Sequence, residues 1–180
     1  MMFARMKLPI TSLLFTLMVF FCQDVLAQQQ KINNEKNTIF LEYSFEGMHY
    51  SLNYERIIIN SKSLFYSLRA GVSAAQNQIG FPFGGSINTG HNSHHAEFTL
   101  VVTPMIENHY LLGSNNVEHD AFIFIFPAAG YRYQKYDGGF FFHAVVGPMV
   151  ILDPRENDFW NMDPVTKLSF SIGAGITFGK

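Results

Sequence analysis

The densest group of side chains that could do chemistry lies between residues 91 and 97. Three or four ligands must converge on a metal ion, and a turn could bring His91, His94 and either His95 or Glu97 together. Adjacent residues of a strand point to opposite faces, so His94 and His95 are not expected to share a metal. The segment is therefore interpreted as a solvated turn, and neither a bound metal nor a cofactor is predicted.

A second set of titratable residues is spread along the chain, and each member lies on the polar face of an alternating segment. The set comprises Glu42, Glu55, Arg69, Glu97, Arg132 and His143. If these side chains share an enclosed interior they must be paired, because an unpaired buried charge is strongly destabilising. Three carboxylates face two arginines, which leaves His143 to serve as the third cation.

We interpret this charged layer as structural: it fixes the register of the strands and fills the interior. Neighbouring strands are expected to carry Glu55 and Arg69, and likewise Glu97 and Arg132, at similar depth near the periplasmic end. The alternative is a proton or small-ion site, because a histidine beside carboxylates can titrate near neutral pH.

The segments that carry these residues alternate between apolar and polar side chains, which is typical of β-strands. The C-terminal segment 167–178 does so without a break, and a strand this long with one wholly apolar face needs an apolar medium beside it. Eight strands are predicted, at 38–46, 48–58, 64–73, 79–87, 94–106, 121–134, 140–150 and 167–178. The fourth is weak, because Pro82 and three glycines oppose regular pairing.

These strands predict an all-β fold, an eight-stranded antiparallel up-and-down transmembrane β-barrel. All eight are long enough to supply the 9–11 tilted residues that cross a bilayer. Charged residues make up only 14% of the chain while aromatic residues reach 16%, a balance that suits a lipid-facing surface better than a soluble domain. The formal net charge of −2 gives no indication of nucleic-acid binding.

The first 27 residues have the pattern of a cleaved signal peptide. Arg5 and Lys7 provide the positive charge, an apolar stretch follows, and small residues around Ala27 form the cleavage site. Residues 28–36 are a polar periplasmic lead-in, and 37–180 form the barrel. Cys22 is the only cysteine and would be removed with the signal, so no disulfide is expected. The predicted location is the bacterial outer membrane.

An even number of strands places both ends of the barrel domain on the periplasmic side. Short turns at 60–63, 88–93 and 135–138 lie on that side, and longer connections at 107–120 and 153–166 face outward. Loops on a rigid barrel are where binding sites accumulate, so these two loops are the candidate positions for a surface ligand. The other expected partners are outer-membrane lipids and lipopolysaccharide, and the chain is predicted to be a monomer.

Four segments together resemble a known group of proteins: 50–56, 130–134, 138–142 and the C-terminal strand. They look like the small, uncharacterised outer-membrane β-barrel proteins of the Bacteroidetes type. The resemblance implies a barrel and a location, and it brings no known activity. Such sequences often carry arginine after the phenylalanine run, where this chain has His143.

The pair His91 and Ser93 resembles the His-x-Ser pair of outer-membrane lipid A deacylases, which implies esterase chemistry. In those barrels the pair sits on the lipid-facing wall near the outer leaflet, whereas here it falls in a predicted periplasmic turn. We therefore favour a non-enzymatic barrel with a structural or surface-recognition role. The alternatives are a lipid hydrolase and a secreted soluble barrel that carries a ligand.

Overall fold

The computed structural model describes residues 37–47, 49–61, 63–75, 78–91, 93–110, 117–154 and 162–179. The predicted signal peptide (1–27) and lead-in (28–36) lie outside these residues. Within them, no helix is both long and apolar enough to cross a membrane. The described secondary structure consists of strands, turns and bends.

In the described part of the chain, nine strand segments form one antiparallel sheet that closes on itself. They are β1 (Asn37–Ser44), β2 (Tyr50–Asn60), β3 (Leu64–Ala75), β4 (Gln78–Gly80), β5 (Phe83–His91), β6 (His94–Tyr110), β7 (Val117–Gln134), β8 (Gly139–Pro154) and β9 (Met162–Phe178). Consecutive strands pair with each other except β4 and β5, and β9 pairs with β1 from Asn37↔Phe178 to Ser44↔Ser171. Since β4 and β5 both lie between β3 and β6, the barrel has eight strands around its circumference. The predicted all-β, eight-stranded antiparallel fold is confirmed.

The weak fourth strand is the one divided into β4 and β5. Pro82 lies in the gap between them and has no N–H to donate to a ladder. The backbone N–H of Phe81 still donates to the carbonyl of Pro104 on β6, at 3.1 Å. The wall therefore stays closed here although its regular pairing is interrupted.

Three predicted connections are shorter in the structure than the sequence suggested. The turn predicted at 88–93 was wrong, because β5 continues to His91, which pairs with His94 across a tight hairpin. The loops predicted at 107–120 and 153–166 were also too long. The β6–β7 ladder reaches Tyr110↔Val117, and the β8–β9 ladder reaches Pro154↔Met162. The remainders, 111–116 and 155–161, lie outside the described residues. Polar side chains on both faces made these strand ends resemble loops.

The two surfaces of the wall differ sharply in polarity. Large apolar side chains cover the outside, with Leu168 as much as 76% exposed and Leu41 67%. The inside holds buried glutamates, arginines, histidines, serines and threonines beside a few phenylalanines. This arrangement is the reverse of a soluble domain, where charged groups are almost never fully buried. We call the end of the barrel where Asn37 pairs with Phe178 the terminal end, and the opposite end the loop end.

Candidate functional site

All six residues of the predicted charged layer are buried inside the barrel. Glu42 lies on β1, Glu55 on β2, Arg69 on β3, Glu97 on β6, Arg132 on β7 and His143 on β8. Each is flanked in the chain by outward-facing residues, so the period-two alternation of its strand directs it inward. The layer is thus assembled from six strands.

Glu42 is the centre of one part of the layer. Arg69 Nη1 donates to Glu42 Oε2 at 2.9 Å, and Nη2 lies 3.5 Å from Oε1. The same carboxylate accepts hydrogen bonds from Ser171 Oγ on β9 and from Asn53 Nδ2 at 3.3 Å. Four strands are therefore joined through one buried carboxylate, in the two-pronged geometry that makes arginine–carboxylate pairs strong.

Arg132 is the centre of the other part. Its Nη2 donates to Glu55 Oε1, its Nε donates to Gln134 Oε1 at 2.7 Å, and its Nη1 lies 3.7 Å from Glu97 Oε1. The other oxygen of Glu97 is 3.3 Å from Nδ1 of His143. Glu97 therefore lies between the arginine and the histidine.

The partners differ in part from those that strand order suggested. Glu55 and Arg69 face each other in the β2–β3 register, but their ion pairs are with Arg132 and Glu42 respectively. Long side chains reach across the narrow interior, so a charged residue can pair with a residue of a distant strand as well as with one of the adjacent strand. Glu97 and Arg132, expected together, do lie together.

Aromatic rings pack against both arginines. The guanidinium carbon of Arg132 is 4.7 Å from the ring centre of Phe141 and 5.4 Å from that of Phe65. Phe40 lies between the two parts of the layer, with its ring centre 5.9 Å from the Arg69 guanidinium and 5.2 Å from the His143 ring. Such contacts stabilise a desolvated cation. The sequence could have indicated these contacts, because each of the three phenylalanines lies on the same alternating face of its strand as a charged residue.

The histidine-rich segment does not converge on one point. His94 is exposed on the outside, where its Nδ1 lies 2.7 Å from the hydroxyl of Tyr131, while His95 is buried with its Nε2 3.3 Å from the Gln134 carbonyl. Glu97 points inward with His95, so the ligand set considered from the sequence is divided between two faces. His91 ends β5 and Ser93 lies in the hairpin turn at the terminal end. Among the described residues no three His, Cys, Asp or Glu side chains are placed to hold a metal ion.

Toward the loop end, the side of the interior formed by β6, β7 and β8 carries a buried apolar cluster, which sequence reasoning did not predict. Three neighbouring strands contribute the cluster, namely Val101 and Met105 of β6, Phe124, Phe126 and Ala128 of β7, and Val145 and Met149 of β8. A cavity of about 30 Å³ separates it from Glu42 and Arg69. The sequence feature that could have indicated this cluster is the segment 122–126, which is apolar on both faces of the predicted strand.

Fold and site together define a small closed barrel with a charged interior layer and a buried apolar cluster toward the loop end. No protein-family model matches the chain, and no curated protein matches its sequence. Among solved structures, the chain resembles the N-terminal β-barrel domain of OprF from Pseudomonas aeruginosa, with a TM-score of 0.49 and 11% sequence identity. That likeness covers 83% of this chain and 98% of the OprF domain.

Proposed function

We propose that the chain is an integral barrel of the bacterial outer membrane with a non-enzymatic role, structural or in surface recognition. The observation that carries this proposal is the apolar outer surface around an interior that holds a buried charged layer. Exposed apolar side chains occur on every strand from β1 to β9. A contiguous apolar surface much larger than a few hundred Å² is rare on soluble monomers, and a closed barrel is one of the two structures that satisfy their backbone within a bilayer.

The filled interior favours a structural or recognition role over transport. Arg132, Phe40, Phe141 and His143 are each at most 1% exposed and pack across the lumen. Small barrels of eight strands are generally filled in this way by their own side chains. We infer that the protein forms no continuous aqueous channel.

Two hairpins at the loop end are the proposed recognition surface. The β6–β7 ladder continues to Tyr110↔Val117, whereas β7 and β8 stop pairing beyond Ile123↔Leu152. The β8–β9 ladder likewise continues to Pro154↔Met162. These extensions project beyond the part of the wall that all the strands share. We propose that a monomer presents them to a surface ligand, while lipids and lipopolysaccharide surround the barrel.

A pair of charge substitutions tests the membrane location. Leu100, in the middle of the wall on β6, is 51% exposed, and Ile59, near the terminal end of β2, is 54% exposed. In a bilayer, Leu100→Lys should cost about 2–4 kcal/mol and Ile59→Lys about 0–1 kcal/mol. On a water-exposed surface both changes should stay within about 0.5 kcal/mol.

The measurement is urea unfolding of the refolded protein in lipid vesicles, followed by gel mobility without heating. The wild type should also float with vesicles and resist carbonate extraction. Recovery as a monodisperse protein without detergent, together with equal and small effects of the two lysines, would overturn the membrane location and favour a soluble ligand-carrying barrel.

A further inference from the structure

The β7–β8 wall contains an interruption at mid-height. Pairing runs over Ile123–Ile125 with Val150–Leu152 and resumes at Ala129↔Val146, with the same register on both sides. That register places Pro127 directly opposite Pro148. Both prolines are exposed on the outer surface. We call this interruption the proline seam.

The direction of the backbone groups explains why pairing fails there. The N–H of Gln134 donates to the carbonyl of Ser93 beside β6, so even-numbered residues of β7 direct their N–H groups to β6 and odd-numbered residues to β8. Pro127 and Pro148 therefore occupy a position where each should donate to the other. Neither has an N–H, so two ladder hydrogen bonds are missing and two carbonyls lose their donors.

The interior directly behind the seam is apolar. Phe126 and Ala128 flank Pro127 in the chain, Met149 follows Pro148, and all three belong to the buried apolar cluster. The 30 Å³ cavity is lined on this side by Val101, Phe126 and Met149. Methionine side chains adapt readily to a changed volume, so the cluster can rearrange around an inserted group.

The outer surface in front of the seam is also apolar. The register aligns Leu100 with Pro127, and Pro148 with Leu168, so four outward-facing apolar side chains form one row across β6 to β9. Leu168 is 76% exposed. Apolar groups therefore lie on both sides of the wall where the β7–β8 ladder is interrupted.

We propose that the proline seam opens laterally and admits an alkyl chain of a bilayer lipid into the apolar cluster. The proposal rests on the membrane location proposed above, because lipid chains are what a bilayer presents to Leu100 and Leu168. The ligand is a chain and not a headgroup, since Phe126, Ala128 and Met149, which adjoin the two prolines on the inner side of the wall, are all apolar. On the far side of the cavity Glu42 and Arg69 bind each other, and this pair sets the depth at which the chain ends.

The test measures access to Met149 from the bilayer. In a Cys22→Ser background, Met149→Cys is reacted in proteoliposomes with a long-chain N-alkyl maleimide dissolved in the lipid. Adding Pro127→Ala and Pro148→Ala restores both N–H groups. Labelling of Met149→Cys should then slow by roughly tenfold to a hundredfold, because each hydrogen bond contributes about 1 kcal/mol net.

Pro104→Ala is the matched control, because Pro104 is also an exposed strand proline but faces the β4–β5 gap on the other side of β6. It should leave the labelling rate unchanged. Protein that floats with the vesicles and labels equally with and without the seam alanines overturns the seam proposal alone. Protein that does not float overturns the membrane location, and the seam proposal with it.

Discussion

Arg132→Met is the substitution that should most disturb the charged layer. Methionine keeps the volume between Phe65 and Phe141 but removes the positive charge. Arg132 is fully buried and donates to Glu55 and Gln134, while Glu97 lies 3.7 Å away. Two carboxylates therefore lose a cation at once. Removing one partner of a buried pair typically costs about 3–5 kcal/mol, and we expect the upper end of that range.

A double-mutant cycle separates the two carboxylates. Glu55 is hydrogen-bonded to Arg132, so Glu55→Gln combined with Arg132→Met should show a coupling energy of about 2–3 kcal/mol. Glu97 is farther from Arg132 and also faces His143, at 3.3 Å. Its cycle with Arg132 should therefore give a smaller coupling, about 1 kcal/mol.

The exposed pair between Lys167 and Glu46 is the matched control. Its atoms are 3.2 Å apart, but the lysine side chain is 51% exposed. Surface pairs contribute about 0–1 kcal/mol, so Lys167→Met and Glu46→Gln should be almost additive. The assay is urea unfolding in vesicles, with the folded fraction read from gel mobility. A coupling between Arg132 and Glu55 no larger than that of the control pair would refute the interpretation of the layer as a coupled structural network.

Three further outcomes are expected. Gly147→Ala should lower the free energy of unfolding by about 1–3 kcal/mol as an overpacking change, because a Cβ there would lie 2.8 Å from Cα of Ala128. Gly85→Ala should cost less, because the atom nearest to its Cβ would be the Ser67 carbonyl oxygen at 3.0 Å. Equal unfolding midpoints for the two variants would contradict this. In planar bilayers the wild type should give no discrete conductance steps, and reproducible steps would show that the interior opens to ions. Ser93→Ala should leave the acyl-chain composition of cellular lipid A unchanged, and a change would revive the hydrolase alternative.

The inward and outward faces of the strands could be predicted because they depend on local sequence alone. Period-two alternation assigns Glu42 and His143 to one face and Leu41 and Phe142 to the other without knowledge of any partner strand. The structure has the same division. A shift of one residue would move all the apolar side chains of a strand to the other face, so the alternation assigns the two faces without ambiguity.

The partners within the charged layer could not be predicted, because they depend on closure of the barrel. Arg69 and Glu42 come from β3 and β1, with β2 between them. Their contact exists only because the wall curves and directs both side chains into one narrow lumen. The ends of β5 and β6 were not predicted either. Beyond the apolar outer surface neither face of a strand needs to be apolar, so 88–91 and 107–110 lack the alternation that identifies a strand.

The closing pair of strands shows what the polar interior adds to that pattern. A one-residue slip of β9 against β1 would turn its apolar face inward, so the apolar pattern alone excludes it. A two-residue slip preserves both faces and can be opposed only by specific contacts. In the observed register Thr38 and Thr177 are hydrogen-bonded at 3.1 Å and Gly175 lies opposite Phe40, whose backbone leaves no room for a Cβ. A slip of two in one direction would place Thr177 opposite Phe40, so steric exclusion and lost hydrogen bonds act together to select the register that closes the barrel.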